Sequence, residues 1–448
     1  MGGWDINKLK CVDFFRKTEA FSMYESFLQS QWFRSEKVNN LQWDRLRDLL
    51  IHAYDNVPYY YRIFNDMGIK PDQVNSFSDF RKIPVLTKDI IRARGKELYA
   101  KDAESFFPRK KSTGGSTGEP LRYIVDKRSH SALWAFIFRS WHTGGWNPGD
   151  KMVFLGGGTL FPSFSVLKRK FYAYFNNWLM LPSFDFTEKI MSSWIKKIRR
   201  FKARYMYSYA SSAYLLANYI KQNKIHDIKF DAVFTTAEVL LPHYRKMIEE
   251  VYSCEVFDTY GGADGAGYAF ECEEHCGLHI VTENAVVEIV KEDGSSAEED
   301  ESGNIITTDL FNYAMPFIRY KVEDVATFTM KKCPCGRGLP LLKNILGRTS
   351  DYILVKDGSK VHSSFFGYLF RDYDLIQQYL VIQENRNDVQ IYIKPFSFFP
   401  NQQGQLQNLK QLVGRKLDGM NVEFFVTEEI PKTSNGKFKS VINKMRLL

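Results

Sequence analysis

Ser112-Thr113-Gly114-Gly115-Ser116-Thr117-Gly118-Glu119-Pro120 is the stretch on which the reading of this chain turns. Its glycines let the backbone approach an anion closely, and their N–H groups can turn inward as a nest. Thr113, Ser116 and Thr117 add hydroxyl donors without adding negative charge. Such a loop suits a triphosphate. It lacks the GxxxxGK[ST] spacing, which excludes a P-loop NTPase. By itself a Gly/Ser/Thr-rich stretch also fits a flexible turn, so the flanking sequence has to decide.

Before the loop the chain reads mainly as helix, with apolar periodicity through "LQWDRLRDLLIHAYDNV" up to Pro58 and a helix capped by Thr87 in "IPVLTKDII". From Met152 short apolar runs ("KMVFLGG", "ARYMYSY", "DAVFTTAE", "EVFDTYGG") alternate with helical stretches. That alternation predicts an α/β fold with helix-covered sheets. After Gly347 the texture changes. "DYILVKDGSKVH" and "VQIYIKP" read as strands and "QLQNLKQLVGRKL" as an amphipathic helix, enough for a small α+β domain. Met152 to Phe186 reads as buried sheet and loop, with surface membrane contact as the lesser alternative. "EDGSSAEEDESG" reads as a surface loop or hairpin turn.

Five further segments follow the glycine-rich loop in order. They are "TTAE" ending at Glu238, "DTYGGAD" (Asp258 to Asp264), "RYKVED" (Arg319 to Asp324), "GRTSD" (Gly347 to Asp351) and "PKTSNGK" (Pro431 to Lys437). Together the set resembles the signatures of the adenylate-forming superfamily. "LLIHAYDNVPYYYRIF", "IPVLTK" and "MPFIRYKVEDVA" narrow the resemblance to the phenylacetate–CoA ligase branch, in particular its CapK-type members linked to surface or capsular polysaccharide synthesis.

The resemblance implies a ligase that uses ATP to activate a carboxylic acid as acyl-AMP, then passes the acyl group to CoA or to an amine or hydroxyl on a sugar. It implies a large domain over residues 1–347 and a small mobile C-terminal domain over 348–448, pivoting near Ser350. Thr113, Gly114, Gly115, Ser116, Thr117 and Gly118 are expected at the phosphates. Glu238, Asp258, Thr259, Tyr260 and Gly261 are expected around the acyl group and adenine, with Asp324 and Arg348 at the ribose and Asp264 on Mg2+. Lys437 is expected to be catalytic, because a carboxylate attacking an α-phosphate needs positive charge between the anions. Three positions depart from the pattern. Asp264 stands where relatives have Glu, Leu121 where many have Lys, and Glu323 where the branch often has Gly.

The late cysteines form a second constellation. Cys333-Pro334-Cys335-Gly336 resembles half of a structural zinc site, and four of Cys272, Cys276, His279, Cys333 and Cys335 would complete a Zn2+ tetrahedron. Buried free thiols are the alternative. Six cysteines so placed do not make a secreted disulfide framework, which sets the expectation of a cytoplasmic protein.

The 448 residues carry 61 Lys and Arg against 52 Asp and Glu, a net charge of +9. Acidic stretches interrupt the basic ones, so no nucleic-acid partner is expected and membrane contact is peripheral at most. The basic run Lys196–Arg204 is read as the solvated face of a helix whose apolar positions are Trp194, Ile195, Ile198 and Phe201. Two other readings stay open: an adenylyltransferase that leaves AMP on its target, and a catalytically decayed scaffold. The acid, the acceptor and the oligomeric state are not legible in the sequence.

Overall fold

The computed structural model describes the chain apart from residues 1–12, 14–17, 113–120, 158–159, 161–165, 263, 266, 349–351, 359, 372–375, 396–401, 432–437 and 447–448. It divides into two compact units, one of residues 1–150 with 257–345 and one of residues 151–256 with 346–448. Both are α/β.

In the first unit, helix Ser35–Asn56 buries Leu46, Leu49, Leu50 and Ala53, the recurring face of a 3.6-residue period. Pro58 stops it. Val57 takes an extended conformation (φ −112°, ψ 112°), as the residue before proline is driven to do, and Pro58 opens the next helix, where a missing N–H costs nothing. The Thr87 hydroxyl accepts from Ile90 N and caps helix Lys88–Arg94 as expected. Just before that cap, Leu86 bonds to the "RYKVED" strand twice, by Leu86 N to Arg319 O and Lys321 N to Leu86 O, both 2.9 Å.

Strands Ala285–Val290, Ser302–Asp309 and Tyr320–Thr329 form an antiparallel ladder, and the acidic stretch 291–301 is the hairpin turn between the first two. Beyond them the order continues through Leu341–Arg348, Leu278–Ile280 and Ala269–Glu271 to the strand that ends at Tyr260. A separate hairpin, Arg109–Ser112 with Arg122–Val125, brackets the glycine-rich loop.

In the second unit, parallel strands run in the order Ala232–Thr236, Tyr205–Tyr209, Met152–Gly156, Trp178–Pro182. Parallel neighbours require crossovers, and helices supply them. Val153, Leu155, Met206 and Val233 meet Trp194, Ile195 and Ile198 of helix Glu188–Phe201. Lys196, Lys197, Arg199 and Arg200 of that helix are exposed, which is the solvated face read from the sequence. Residues 346–448 contribute a four-stranded sheet ordered Asn421–Val426, Asp388–Pro395, Ile376–Gln383, Val441–Asn443, with helices Ser363–Arg371 and Gln402–Lys416. Phe366, Phe370, Ile391, Leu409 and Val413 lie in its core.

One segment differs from the expectation. Within Met152–Phe186 the structure has strands Met152–Gly156 and Trp178–Pro182, but also helix Val166–Phe175. The sequence hides that helix because Phe171, Tyr174 and Phe175 face outward and, of its aromatic residues, only Tyr172 is buried, so apolar periodicity does not mark a buried face.

Candidate functional site

Asp258, Thr259 and Tyr260 end a strand whose register pairs Thr259 with Phe270 and Tyr260 with Ala269. The Tyr260 hydroxyl donates to Asp324 Oδ2 at 2.7 Å. This bond joins "DTYGGAD" to "RYKVED", and the ring stands beside the carboxylate expected to hold a ribose diol. A Cβ at Gly261 would lie 2.4 Å from the Tyr268 ring, so only glycine lets the chain pass there. Asp258 N donates to Glu271 Oε2 at 2.8 Å, which fixes the strand end from the neighbouring strand.

Asp264 is half-buried, and the Tyr320 hydroxyl donates to its Oδ2 at 3.3 Å. Burial first and the Asp264 charge second push the Tyr320 hydroxyl far above the usual tyrosine range, so it stays a donor. The other Asp264 oxygen offers the hard acceptor that Mg2+ prefers. Rings of Tyr123, Phe317 and Tyr320 follow one another at 5.8 and 4.9 Å between centroids, leading from the hairpin to Asp264.

The hairpin carries a cation that the sequence reading passed over. Lys111 lies directly opposite Tyr123, and directly opposed residues of an antiparallel pair project from the same face. Burial and the Arg109 charge lower its ammonium pKa. Leu121, where many relatives have Lys, is buried in the apolar core with Tyr123 and Phe317 and presents no charge. A basic residue on the strand entering the loop is the signal that marks Lys111.

Glu323 sits at φ +70°, a left-handed conformation that favours glycine, and its carboxylate pairs with Lys88 at 2.6 Å.

In the second unit, the strand Ala232–Thr236 turns at Ala237 (φ +69°) to present Glu238. Its Oε2 accepts from Ser211 N at 3.0 Å and its Oε1 from Phe438 N at 3.2 Å. Arg348 is exposed at the end of its strand. Thr113, Gly114, Gly115, Ser116, Thr117, Gly118, Lys437 and residues 349–351 of the expected pivot at 348–352 lie outside the described residues.

Back in the first unit, Cys272, His279, Cys333 and Cys335 bring their ligand atoms within 4.8 Å of one another. Cys272 and Cys333 Sγ are 3.5 Å apart, and Cys335 Sγ is 3.3 Å from His279 Nε2. Zinc–sulfur bonds of ~2.3 Å in a tetrahedron would separate ligand atoms by about 3.8 Å, so this donor set fits the metal. His279 Nδ1 lies 3.3 Å from Leu339 O, an arrangement that leaves Nε2 to bind. Burial lowers the imidazole pKa to about 4, so the ring is neutral at pH 7. Cys276 is exposed, 3.2 Å from Glu274 O, and stands outside the cluster. Burial raises the thiol pKa of Cys272 and of Cys333. Burial also acts upward on Cys335, but hydrogen bonds from the backbone and side chain of Arg337 outweigh it and lower that thiol.

Residues 353–444 match the CapK C-terminal domain family. Over most of its length the chain is similar to a phenylacetate-coenzyme A ligase of Thermus thermophilus (24% identity, covering 94% of this chain and 99% of the relative). It is also similar to Protein CapK of Staphylococcus aureus (25% identity, 91% and 89% covered). The fold is similar to that of 2-hydroxyisobutyryl-CoA ligase, in a structure of that enzyme in its postadenylation state, with TM-score 0.74, 18% identity, and 92% and 90% of the chains covered.

Proposed function

Because the chain belongs to the phenylacetate–CoA ligase branch of the adenylate-forming superfamily, whose members are AMP-forming ligases, we propose that it converts a carboxylic acid and ATP to acyl-AMP and pyrophosphate, then transfers the acyl group to CoA. The observation that carries the reading is the Tyr260–Asp324 hydrogen bond at 2.7 Å, which joins the ring expected to stack on adenine to the carboxylate expected to hold the ribose.

In this reading Asp324 accepts from the ribose hydroxyls. The glycine-rich loop donates N–H groups to the phosphates, and Lys111 adds a cation from the strand before it. Asp264 would hold Mg2+, which neutralises phosphate charge when bound. Lys437 supplies positive charge at the attacking carboxylate, Arg348 adds a donor near the ribose, and Glu238 borders the acyl pocket. Residues 1–347 then serve as the adenylation domain and 348–448 as the mobile one that carries the lysine. Cys272, His279, Cys333 and Cys335 form a structural Zn2+ site, closed by four protein ligands. The reading sets the enzyme in the cytoplasm, where ATP and CoA are supplied.

A second reading of the acceptor, an amine or hydroxyl on a sugar of a surface polysaccharide, rests only on the resemblance to CapK-type proteins. Acid-dependent pyrophosphate exchange over aryl, fatty, hydroxy and amino acids tests the first half-reaction. Release of AMP with CoA or with an amino sugar then separates the two acceptors. Exchange with no acid in the panel, together with AMP retained on a target, would replace this reading with an adenylyltransferase.

A further inference from the structure

Helix Val166–Phe175, of sequence VLKRKFYAYF, is held to its sheet through Tyr172. That residue is buried, and its ring meets the Trp178 ring edge-on at 5.2 Å between centroids. The rest of the described helix turns its aromatic residues the other way. Phe171 is 65% exposed, Tyr174 79% and Phe175 40%. At 100° per residue these three positions fall on one arc of the helix, away from Tyr172. The Phe171 and Phe175 rings lie 4.4 Å apart, with Tyr174 5.9 Å from Phe175, so the aromatic residues form one surface.

Large apolar side chains clustered in water mark a contact surface. Charge selects the occupant. The helix sequence contains Lys168, Arg169 and Lys170, with Lys170 exposed, and it has no acidic residue. Two copies of this face meeting about a two-fold axis would bring like charges together. A surface of negative headgroups above an apolar layer instead takes both features, lysine and arginine at the headgroups and aromatic rings at the acyl boundary. No described helix is long and apolar enough to cross a membrane, so the contact is with the surface.

We propose that helix Val166–Phe175 is an interfacial anchor that docks the protein on an anionic lipid bilayer through Phe171, Tyr174 and Phe175. The proposal is independent of the ligase reading.

The test is co-sedimentation of the full chain with vesicles of phosphatidylglycerol mixed with phosphatidylcholine, and with phosphatidylcholine alone. The protein should bind the mixed vesicles, bind the neutral ones weakly, and release as salt rises. Replacing Phe171, Tyr174 and Phe175 together by Ser should weaken partitioning roughly tenfold or more, with the melting temperature unchanged. Replacing Lys168, Arg169 and Lys170 by Gln should weaken binding to the mixed vesicles and spare the residual neutral binding. Should the triple Ser variant fold poorly, Tyr174→Ser and the Gln variant carry the test. No binding to the mixed vesicles, or unchanged binding by these variants, would overturn the proposal. So would concentration-dependent self-association that Tyr174→Ser abolishes, because the face would then belong to a second copy.

Discussion

Glu238 accepts the backbone N–H of Phe438 at 3.2 Å, so the segment "TTAE" directly holds the residue that follows Lys437, 200 positions away from it. The other oxygen of the same carboxylate takes Ser211 N, which leaves the side chain little freedom. Glu238→Gln keeps an acceptor oxygen for one of these N–H groups, whereas Glu238→Ala removes both. Pyrophosphate exchange should therefore fall further in the Ala variant, by about tenfold beyond Gln, the equivalent of about 1.4 kcal/mol. Lys437→Ala should lower it by about two or more orders of magnitude while ATP binding is retained. Equal activities of the Gln and Ala variants would detach Glu238 from the seating of Lys437.

The cysteine cluster gives a prediction about composition and stability. The purified protein should contain one zinc per chain, and strong chelators should lower its melting temperature. Cys333→Ser with Cys335→Ser should do the same, because both belong to the proposed donor set, which would tie together segments about sixty residues apart. Cys276→Ser should leave metal content and melting unchanged, since Cys276 points to Glu274 O and not into the cluster. Metal-free protein with unaltered melting would reduce the site to packed thiols.

Asp309 should make stability depend on pH. Burial raises its carboxyl pKa to about 7, with Ser129 and Phe311 opposing through hydrogen bonds and Asp126 adding repulsion. An unfolded Asp titrates near ~3.9. Between those values the folded chain keeps a proton that the unfolded chain has released. The contribution of this group is thus complete below its unfolded pKa and is lost as pH rises through its folded one, at most about 4 kcal/mol in all. Urea unfolding from about pH 5 to about pH 8 should show this decline, and Asp309→Asn should flatten it. A slope that persists in the Asn variant would assign it to other groups.

How much of this was legible in the sequence follows from what each feature depends on. The helix-covered sheets were legible because short apolar runs such as Met152–Leu155 alternate with helical stretches, whereas the parallel direction of those strands came only from the structure. The Thr87 cap and the stop at Pro58 were legible because both act within one turn. The order of the motifs gave a candidate site, and two of those motifs meet in the Tyr260–Asp324 bond. Lys111 was only partly legible: the sequence shows basic residues Arg109, Lys110 and Lys111 entering the loop, but which of them stands opposite Tyr123 depends on the strand register. Nor could spacing choose between Cys276 and His279. That choice depends on the backbone at His275, whose φ of +48° lies in the left-handed region, and on strand Leu278–Ile280, which carries His279 back to the cluster. Exposed aromatics concealed helix Val166–Phe175, since burial is what periodicity reports.

Glu323 separates strain from pairing. At φ +70° a non-glycine residue costs roughly 1–2 kcal/mol, and this side chain partly offsets that through Lys88 at 2.6 Å. The pair is partly exposed, so its contribution is about 1 kcal/mol or less. Glu323→Ala removes the pair and keeps the strain, so it should destabilise by up to that amount. Glu323→Gly removes both, and its gain from relaxed backbone is reduced by the extra freedom glycine has when unfolded. The Gly variant should therefore be more stable than the Ala variant by about 0.5–1 kcal/mol, and close to wild type. Equilibrium unfolding of the three proteins decides the matter. An Ala variant as stable as the Gly variant would mean that the left-handed backbone at 323 carries no strain, and an Ala variant as stable as wild type would mean that the Lys88 pair contributes nothing.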